Sequence, residues 1–266
     1  MPTQPPTSEP TTSRDRIARR LDDEGVRALT PEQFTEEFRH LWKQGEHLSA
    51  IAPTGSGKTT FVLMILRLRR YVLALDIKGG DETLAALRYP RLSEWPGIKK
   101  MRRMVEKNDS EGKPSRYIVG PVAQTRKDLP ALKRAISEAM DDAYDMGGWT
   151  TYADELQILT DPRMMGLAAP SARNLVAARS KRITFVSAFQ GPRWVISEAI
   201  GQPTWIAASY TRDTDTVNRM AEVLGRPRAE VRGVMKAIPE HWWIVVGRSP
   251  RAPYLAVKPP YVAPHR

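Results

Sequence analysis

Between an apolar stretch ending at Ile51 and a helical run beginning at Thr60, the chain reads Ala-Pro-Thr-Gly-Ser-Gly-Lys-Thr over residues 52–59. A Gly-rich turn joining a buried strand to a helix start lets backbone N–H groups converge on phosphate oxygens, because Gly carries no side chain to block the approach. Pro53, Thr54, Gly55, Ser56, Gly57, Lys58, Thr59 and Thr60 are thereby the candidate cradle for ATP. In this reading the Lys58 ammonium reaches the β- and γ-phosphates and the Thr59 hydroxyl ligates Mg²⁺. Ala52 stands where such loops usually have their first Gly. The alternative is a Gly-rich turn with a structural role only, and the flanking strand and helix weigh against it.

The same strand–loop–helix unit constrains the fold. From Glu46 onward, apolar runs alternate with helical segments, as a parallel sheet covered by helices requires. Strands are expected at 47–51, 71–75, 116–119, 149–153, 183–188, 204–208, 241–246 and 254–257. The first five are dense in Val, Ile, Leu and Ala, as strands buried on both faces should be. The last two are expected as an edge hairpin, since Arg248-Ser-Pro-Arg-Ala-Pro253 between them is turn chemistry. The sequence therefore predicts a three-layer α/β/α P-loop fold with a mainly parallel central sheet over 46–258, and no internal repeat.

Three segments stand apart. Residues 1–13 carry Pro at 2, 5, 6 and 10 among Thr and Ser and are expected to be disordered. Residues 14–45 read as a helical lead-in, with an N-cap at Thr30, Pro31 at the first helical position, and Phe34, Phe38, Leu41 and Trp42 at three- and four-residue spacing. Residues 96–115, rich in Lys and Arg and closing on Asn-Asp-Ser-Glu-Gly, read as a basic insertion or mobile loop, and 259–266 as a C-terminal tail.

At 266 residues the chain can bury one sizeable α/β core but hardly two. No apolar run approaches the ~20 residues needed to cross a bilayer, and the polar, Pro-rich start is unlike a signal peptide. A cytoplasmic protein is expected, virion-associated if viral. There is no Cys, which excludes disulfides and Cys-ligated metal, and the four His are scattered without metal-ligand spacing. The formal charge of +11 favours polyanionic partners through counterion release, a weak signal taken alone.

A phosphate loop that hydrolyses ATP needs a second, acidic site. The run 149–153 followed by Asp154-Glu155 supplies one. On a strand tip, Asp154 can reach the Mg²⁺ hydration shell while Glu155 points toward the attacking water as general base. The competing reading is a solvated acidic pair at a helix start. A third element is the strand 183–189 ending in Gln190, an amide able to sense the γ-phosphate. Alone, a Gln at such a place is more often a surface residue.

Together, Thr54-Gly-Ser-Gly-Lys-Thr59, Leu75-Asp-Ile-Lys78-Gly, Tyr152-Ala-Asp-Glu155 and the run Ala178-Arg-Ser-Lys-Arg-Ile-Thr-Phe-Val-Ser-Ala-Phe-Gln-Gly-Pro192 resemble the FtsK/HerA superfamily of DNA-pumping ATPases. That superfamily includes conjugative coupling proteins and the packaging ATPases of some viruses. Where the family commonly has Ala-Thr-Gln-Arg-Pro, this chain keeps Gln190 and Pro192 but departs at Phe189 and Gly191. The resemblance implies a RecA-like core, a homo-hexameric ring, and translocation of double-stranded DNA without sequence preference. It also implies an arginine acting on the neighbouring subunit's ATP, a role that falls to Arg179, with Arg173, Arg193 and Arg212 as rivals. Capsid, relaxase or membrane-channel partners would accompany packaging or conjugation.

Within that family reading the DNA contacts would be basic loops. Lys99, Lys100, Arg102 and Arg103 are candidates, as are Lys181 and Arg182 beside Arg179. The interleaved Ile98, Met101, Met104 and Val105 equally suit a helix packed on its neighbour. A small-molecule phosphotransferase and an ATP-dependent assembly scaffold are the rival functions. Phosphotransferases seldom need an Asp-Glu pair or a sensor Gln, and Glu155 argues against a scaffold without turnover.

Overall fold

All eight runs expected as strands form strands, and two further short ones join them. The computed structural model describes residues 13–78, 82–121, 128–177, 180–192 and 195–260. In chain order its first elements are α1 (Ser13–Asp22), β1 (Val26–Leu29), α2 (Pro31–Leu41), β2 (Leu48–Ile51), α3 (Lys58–Leu66), β3 (Tyr71–Leu75), α4 (Glu82–Ala85), β4 (Arg91–Leu92), α5 (Ile98–Ser110) and β5 (Ser115–Val119). There follow α6 (Leu129–Met146), β6 (Thr150–Ala153), α7 (Leu156–Thr160), α8 (Ala168–Val176), β7 (Thr184–Phe189), α9 (Glu198–Gly201), β8 (Trp205–Ser209), α10 (Thr214–Leu224), α11 (Arg228–Ala237), β9 (Trp243–Gly247) and β10 (Tyr254–Val257).

The strands make one ten-stranded sheet in the order β1-β10-β9-β8-β2-β7-β6-β3-β5-β4. Every pairing from β8 across to β4 is parallel, and β9 alone among the described strands runs against the rest. Alternate residues of a strand face opposite sides, and the core divides accordingly. Leu73, Leu75, Val119, Ala153 and Phe185 point to the side covered by α5, α6, α8, α10 and α11. Val72, Ala74, Ile118, Tyr152 and Val186 point to the side covered by α2 and α3. Two cores on one mostly parallel sheet are the three layers expected.

The capped helix at 31–41 forms as its sequence dictates. The Thr30 hydroxyl accepts the Gln33 N–H at 3.1 Å, and the Gln33 side chain accepts the Thr30 N–H at 3.0 Å, closing a capping box with Pro31 at the first helical turn. Phe34, Phe38 and Trp42 stack at centroid separations of 5.2 and 5.3 Å, and Phe34 meets Phe61 of α3 at 6.2 Å. Helix α3 is apolar all round, with Phe61 through Leu66 buried, as a helix covered on all sides must be.

Three expectations are corrected. The lead-in is not helical throughout: 26–29 forms β1, paired in parallel with β10, with Val26 buried in the core on one face of the sheet and Leu29 in the core on the other. The β9–β10 hairpin exists but is not the edge, since β1 covers β10. Residues 98–110 are helix α5 rather than a loop; the apolar interleaving buries Met101 and half-buries Met104 and Val105 against the core while the Lys and Arg face solvent. The tail expected over 1–13 lies outside the described residues apart from Ser13, as does 261–266.

Candidate active site

The carboxyl ends of parallel strands are where open α/β sheets bind ligands, at the point where strand order reverses. That point lies at β2. The chain leaves β2 through α3 and returns at β3, with β7 and β6 inserted between. The C-terminal ends of β2, β7 and β6 carry the phosphate loop, Gln190 and Asp154-Glu155, so residues expected to act together are brought to one edge. Ile51 pairs with Phe189, and Ala153 with Ser187.

The loop itself is short and tied down. The Ala52 N–H donates to the Phe189 carbonyl at 3.1 Å, and the Ser56 hydroxyl closes the turn on the Pro53 carbonyl at 2.7 Å. Ala52 is buried in the α2/α3 core, so a methyl group is accommodated where Gly is usual. Gly55 and Gly57 both sit at φ +80°, with open space where a Cβ would lie. They are needed for the left-handed backbone, which other residues adopt only with strain. Gly57 precedes α3 without any side-chain cap, leaving the first N–H groups of that helix directed at the loop, as an anion site needs.

Lys58 begins α3 and is only 9% exposed. Burial depresses its pKa below the ordinary lysine value, Asp154 and then Glu155 counteract that, and Lys78 adds to the depression. A largely buried ammonium whose pKa is lowered by burial despite the attraction of two carboxylates is a poorly solvated cation suited to an anion. The Thr59 hydroxyl and the Asp154 carboxylate are the donors suited to Mg²⁺, which takes few protein oxygens and keeps waters and phosphates as its other ligands. Among the described residues no cluster of three His, Cys, Asp or Glu could hold a metal by itself, and this sparse donor set fits a nucleotide-borne Mg²⁺.

Glu155 occupies the left-handed region at φ 51°, ψ 60°. For a residue with a Cβ this costs on the order of 1 kcal/mol. The conformation carries the chain sharply off β6 into α7, and the carboxylate meets the Lys78 ammonium at 2.6 Å. Lys78 comes from the end of β3, the neighbour of β6. Asp76, two residues earlier, does something different. It is 1% exposed and bound at 2.7 Å by Arg91, whose guanidinium also donates to the Gly120 and Pro121 carbonyls at 3.1 and 3.0 Å. Gly120 is required there, since a Cβ would lie 2.7 Å from the Asp76 carbonyl oxygen. The Lys78 and Arg91 contacts were not foreseen. Leu75-Asp-Ile-Lys78 entered the sequence reading only as part of the family resemblance, and nothing in the sequence marked either contact.

Gln190 shares this edge, and the remaining candidates are dispersed. Gln190 is exposed and directly follows the residue that binds Ala52. Arg179 and Arg193 lie outside the described residues. Arg173 is paired with Asp141 at 2.6 Å and rests on Tyr144. Arg212 is three residues past β8, at the loop's other flank, with its Nε donating to the Tyr210 hydroxyl at 2.8 Å. Lys99, Lys100, Arg102 and Arg103 lie on the solvent side of α5, which packs on β5, four strands from β2 and so about 19 Å away across the sheet. Lys181 and Arg182 are exposed at the amino end of β7, opposite Gln190 by the strand's length of about 20 Å. No described helix is long and apolar enough to cross a membrane.

No protein-family model matches the chain, and no curated protein matches it in sequence. Solved structures do. The DNA-packaging ATPase B204 from Sulfolobus Turreted Icosahedral Virus superposes with a TM-score of 0.57 at 14% identity, over 83% of this chain and 100% of that one. This chain has the P-loop ATPase fold. The genome packaging NTPase B204 from Sulfolobus turreted icosahedral virus 2, in complex with AMPPCP, gives 0.53 at 12% identity over 81% and 98% of the two chains. VirB4 of Thermoanaerobacter pseudethanolicus gives 0.53 at 12% identity over 82% and 90%. These are likenesses of fold, and they agree with the RecA-like core implied by the sequence motifs.

Proposed function

We propose that this protein is an ATP-hydrolysing motor that moves double-stranded DNA, in packaging or in transfer of a mobile element. The observation that carries the proposal is the convergence of Lys58, Thr59, Asp154, Glu155 and Gln190 at one sheet edge, on a fold shared with a viral DNA-packaging ATPase. The loop N–H groups and Lys58 bind the triphosphate. Thr59 and Asp154 hold Mg²⁺, which when bound neutralises charge on the phosphate oxygens. Glu155 accepts the proton of the attacking water, and Gln190 lies where it can report the state of the terminal phosphate to β7. A homo-hexameric ring would place an arginine of one subunit, Arg179 in this reading, against the ATP of the next. Such fingers raise rates by about 10³ to 10⁵. The exposed bases of α5 and of the 181–182 turn are proposed to contact DNA phosphates.

The test is ATP hydrolysis with and without long double-stranded DNA, comparing the parent with Glu155→Gln. A motor shows DNA-stimulated turnover in the parent and near-complete loss in the variant. Turnover indifferent to DNA but stimulated by a nucleoside acceptor would make the protein a phosphotransferase instead.

A further inference from the structure

Just past the carboxyl end of β8, α10 and α11 wall a cavity of about 340 Å³, at the small end of the range that holds small-molecule ligands. The buried Val217 and Met235 line its depth, and the half-buried Tyr210 stands beside them. Arg212, Arg232 and Lys236 surround it with their side chains exposed. Arg232 and Lys236 are four apart on α11 and so share one helix face. Arg212 is tied within its own chain, its Nε donating to the Tyr210 hydroxyl at 2.8 Å. Of the groups that raise its pKa, Tyr210 does most and Glu240 least. Among the described residues no carboxylate lines the cavity, and no ion pair engages Arg232 or Lys236. Three cations gathered without a counter-charge repel one another, and an entering anion relieves them. Lys236 also sits in the last turn of α11, where a helix favours a cation, but that accounts for neither Arg232 nor Arg212.

The ligand that fits is small, strongly negative at one end and flat or apolar at the other. A duplex backbone is neither, since its phosphates lie on a convex surface and each diester carries a single charge. A terminal phosphate monoester carries about −1.5 to −2 at neutral pH with three acceptor oxygens, and a guanidinium can grip such oxygens through two parallel N–H groups. A base attached behind it can stack on Tyr210. The cavity is separate from the phosphate loop. Val217 and Met235 belong to the core on one face of the sheet and the side chains of α3 to the core on the other, and no residue of 52–60 lines the cavity. We propose that this cavity is a second binding site, which takes the terminal phosphate and adjoining base of a nucleoside monophosphate unit, supplied either as a free nucleotide or as the phosphorylated end of a DNA strand. Arg212, Arg232 and Lys236 hold the phosphate and Tyr210 the base.

The experiment is calorimetric titration of the full chain carrying Lys58→Met, which silences the phosphate loop, and of the same chain with Arg232→Gln and Lys236→Gln added. The probes are AMP, adenosine, and a short blunt DNA duplex with either 5′-phosphate or 5′-hydroxyl ends. AMP is expected to bind the first protein, adenosine to bind about tenfold more weakly or worse, and the two added substitutions to weaken AMP by a similar factor, the loss expected for hydrogen bonds to a charged group. The duplex identifies the source. A preference of about tenfold for phosphorylated over hydroxyl ends, abolished by Arg232→Gln with Lys236→Gln, assigns the site to strand ends, and AMP binding without that preference assigns it to free nucleotide. The proposal is overturned if neither AMP nor the phosphorylated duplex binds the Lys58→Met chain, if adenosine binds as well as AMP, or if Arg232→Gln with Lys236→Gln changes nothing. With Lys58 intact, those two substitutions should leave ATP affinity within about twofold, as separate sites require; a tenfold loss would make the cavity part of the ATP site and overturn it as a second one. Both side chains are exposed, so the urea unfolding midpoint should not move. Because these comparisons read binding alone, a chain that hydrolyses no ATP would sink the motor reading and leave this one standing.

Discussion

The two edges of the central sheet are built on opposite terms. At the amino edge, polar groups are consolidated. The Gln44 amide donates to the Trp149 and Arg182 carbonyls, both at 3.0 Å, the Gly45 N–H donates to the Thr184 hydroxyl at 2.9 Å, and the Phe185 N–H donates to His47 Nδ1 at 2.9 Å. Arg69, stacked 3.5 Å above Trp42 and donating to the Lys43 carbonyl, is buried deeply enough that its pKa falls to about 10. At the carboxyl edge lie the uncapped start of α3, the buried charge of Lys58 and the left-handed Glu155. One edge ties side chains to the backbone of neighbouring strands, and the other presents an uncapped helix start and a buried lysine to a ligand. Mutations at the two should therefore separate stability from activity.

The largest separation is expected from Glu155→Gln. With Glu155 as the proposed general base, its loss is expected to lower hydrolysis by about 10² to 10⁴, whereas loss of its ion pair with Lys78 changes unfolding free energy by at most about 1 kcal/mol. Steady-state ATPase rates and urea unfolding of the same preparations check both. An activity loss accompanied by a large stability loss would mean that this edge is structural after all. Thr184→Val is the mirror experiment. Valine keeps the shape but strands the Gly45 N–H, which costs about 1 to 3 kcal/mol, while nucleotide affinity measured by titration should stay within about twofold. A tenfold loss of affinity would show that the two edges are coupled.

Lys58→Met should also separate the two properties. Nucleotide binding is lost with the cation, and unchanged affinity would remove the phosphate loop from the proposal. The nucleotide-free protein should be no less stable, because burial lowers the Lys58 pKa by more than Asp154 and Glu155 raise it, so the site as a whole disfavours the ammonium. A destabilised Lys58→Met would mean that attraction to Asp154 and Glu155 outweighs burial.

How far the sequence could be read follows the same division. The buried parallel strands announce themselves because both faces are apolar, and all of them lie where the pattern placed them. The phosphate loop and Asp154-Glu155 could be named as candidates because their proposed chemistry fixes residue type and spacing within a few positions, and the structure brings them to one sheet edge. Short elements whose stability comes from partners far along the chain were not. Strand β1 needs β10, and β4 is two residues long against β5, so neither has a local signature. Helix α5 was read as a loop because its exposed Lys and Arg outnumber its apolar positions, although Met101 alone reaches full burial. The Lys78–Glu155 contact joins residues 77 apart, and only the β3–β6 pairing brings them together.

The smallest expected effect tests whether Lys58 is a burdened cation. Its pKa is depressed in the folded protein relative to the lysine value of 10.5. Between the folded value and 10.5 the unfolded chain therefore binds more protons than the native one, and native stability attributable to this residue rises with pH across that window. The penalty for burying the ammonium is fully present below the folded pKa and is relieved as pH climbs toward 10.5. Other groups titrate in the same range, so the informative quantity is the difference between parent and Lys58→Met in urea unfolding at several pH values from 7 to 10.5. The advantage of the variant should be constant at first and then shrink with rising pH. An advantage that grows with pH would place the lysine's folded pKa above 10.5 and make the two carboxylates, rather than burial, the dominant influence at the carboxyl edge.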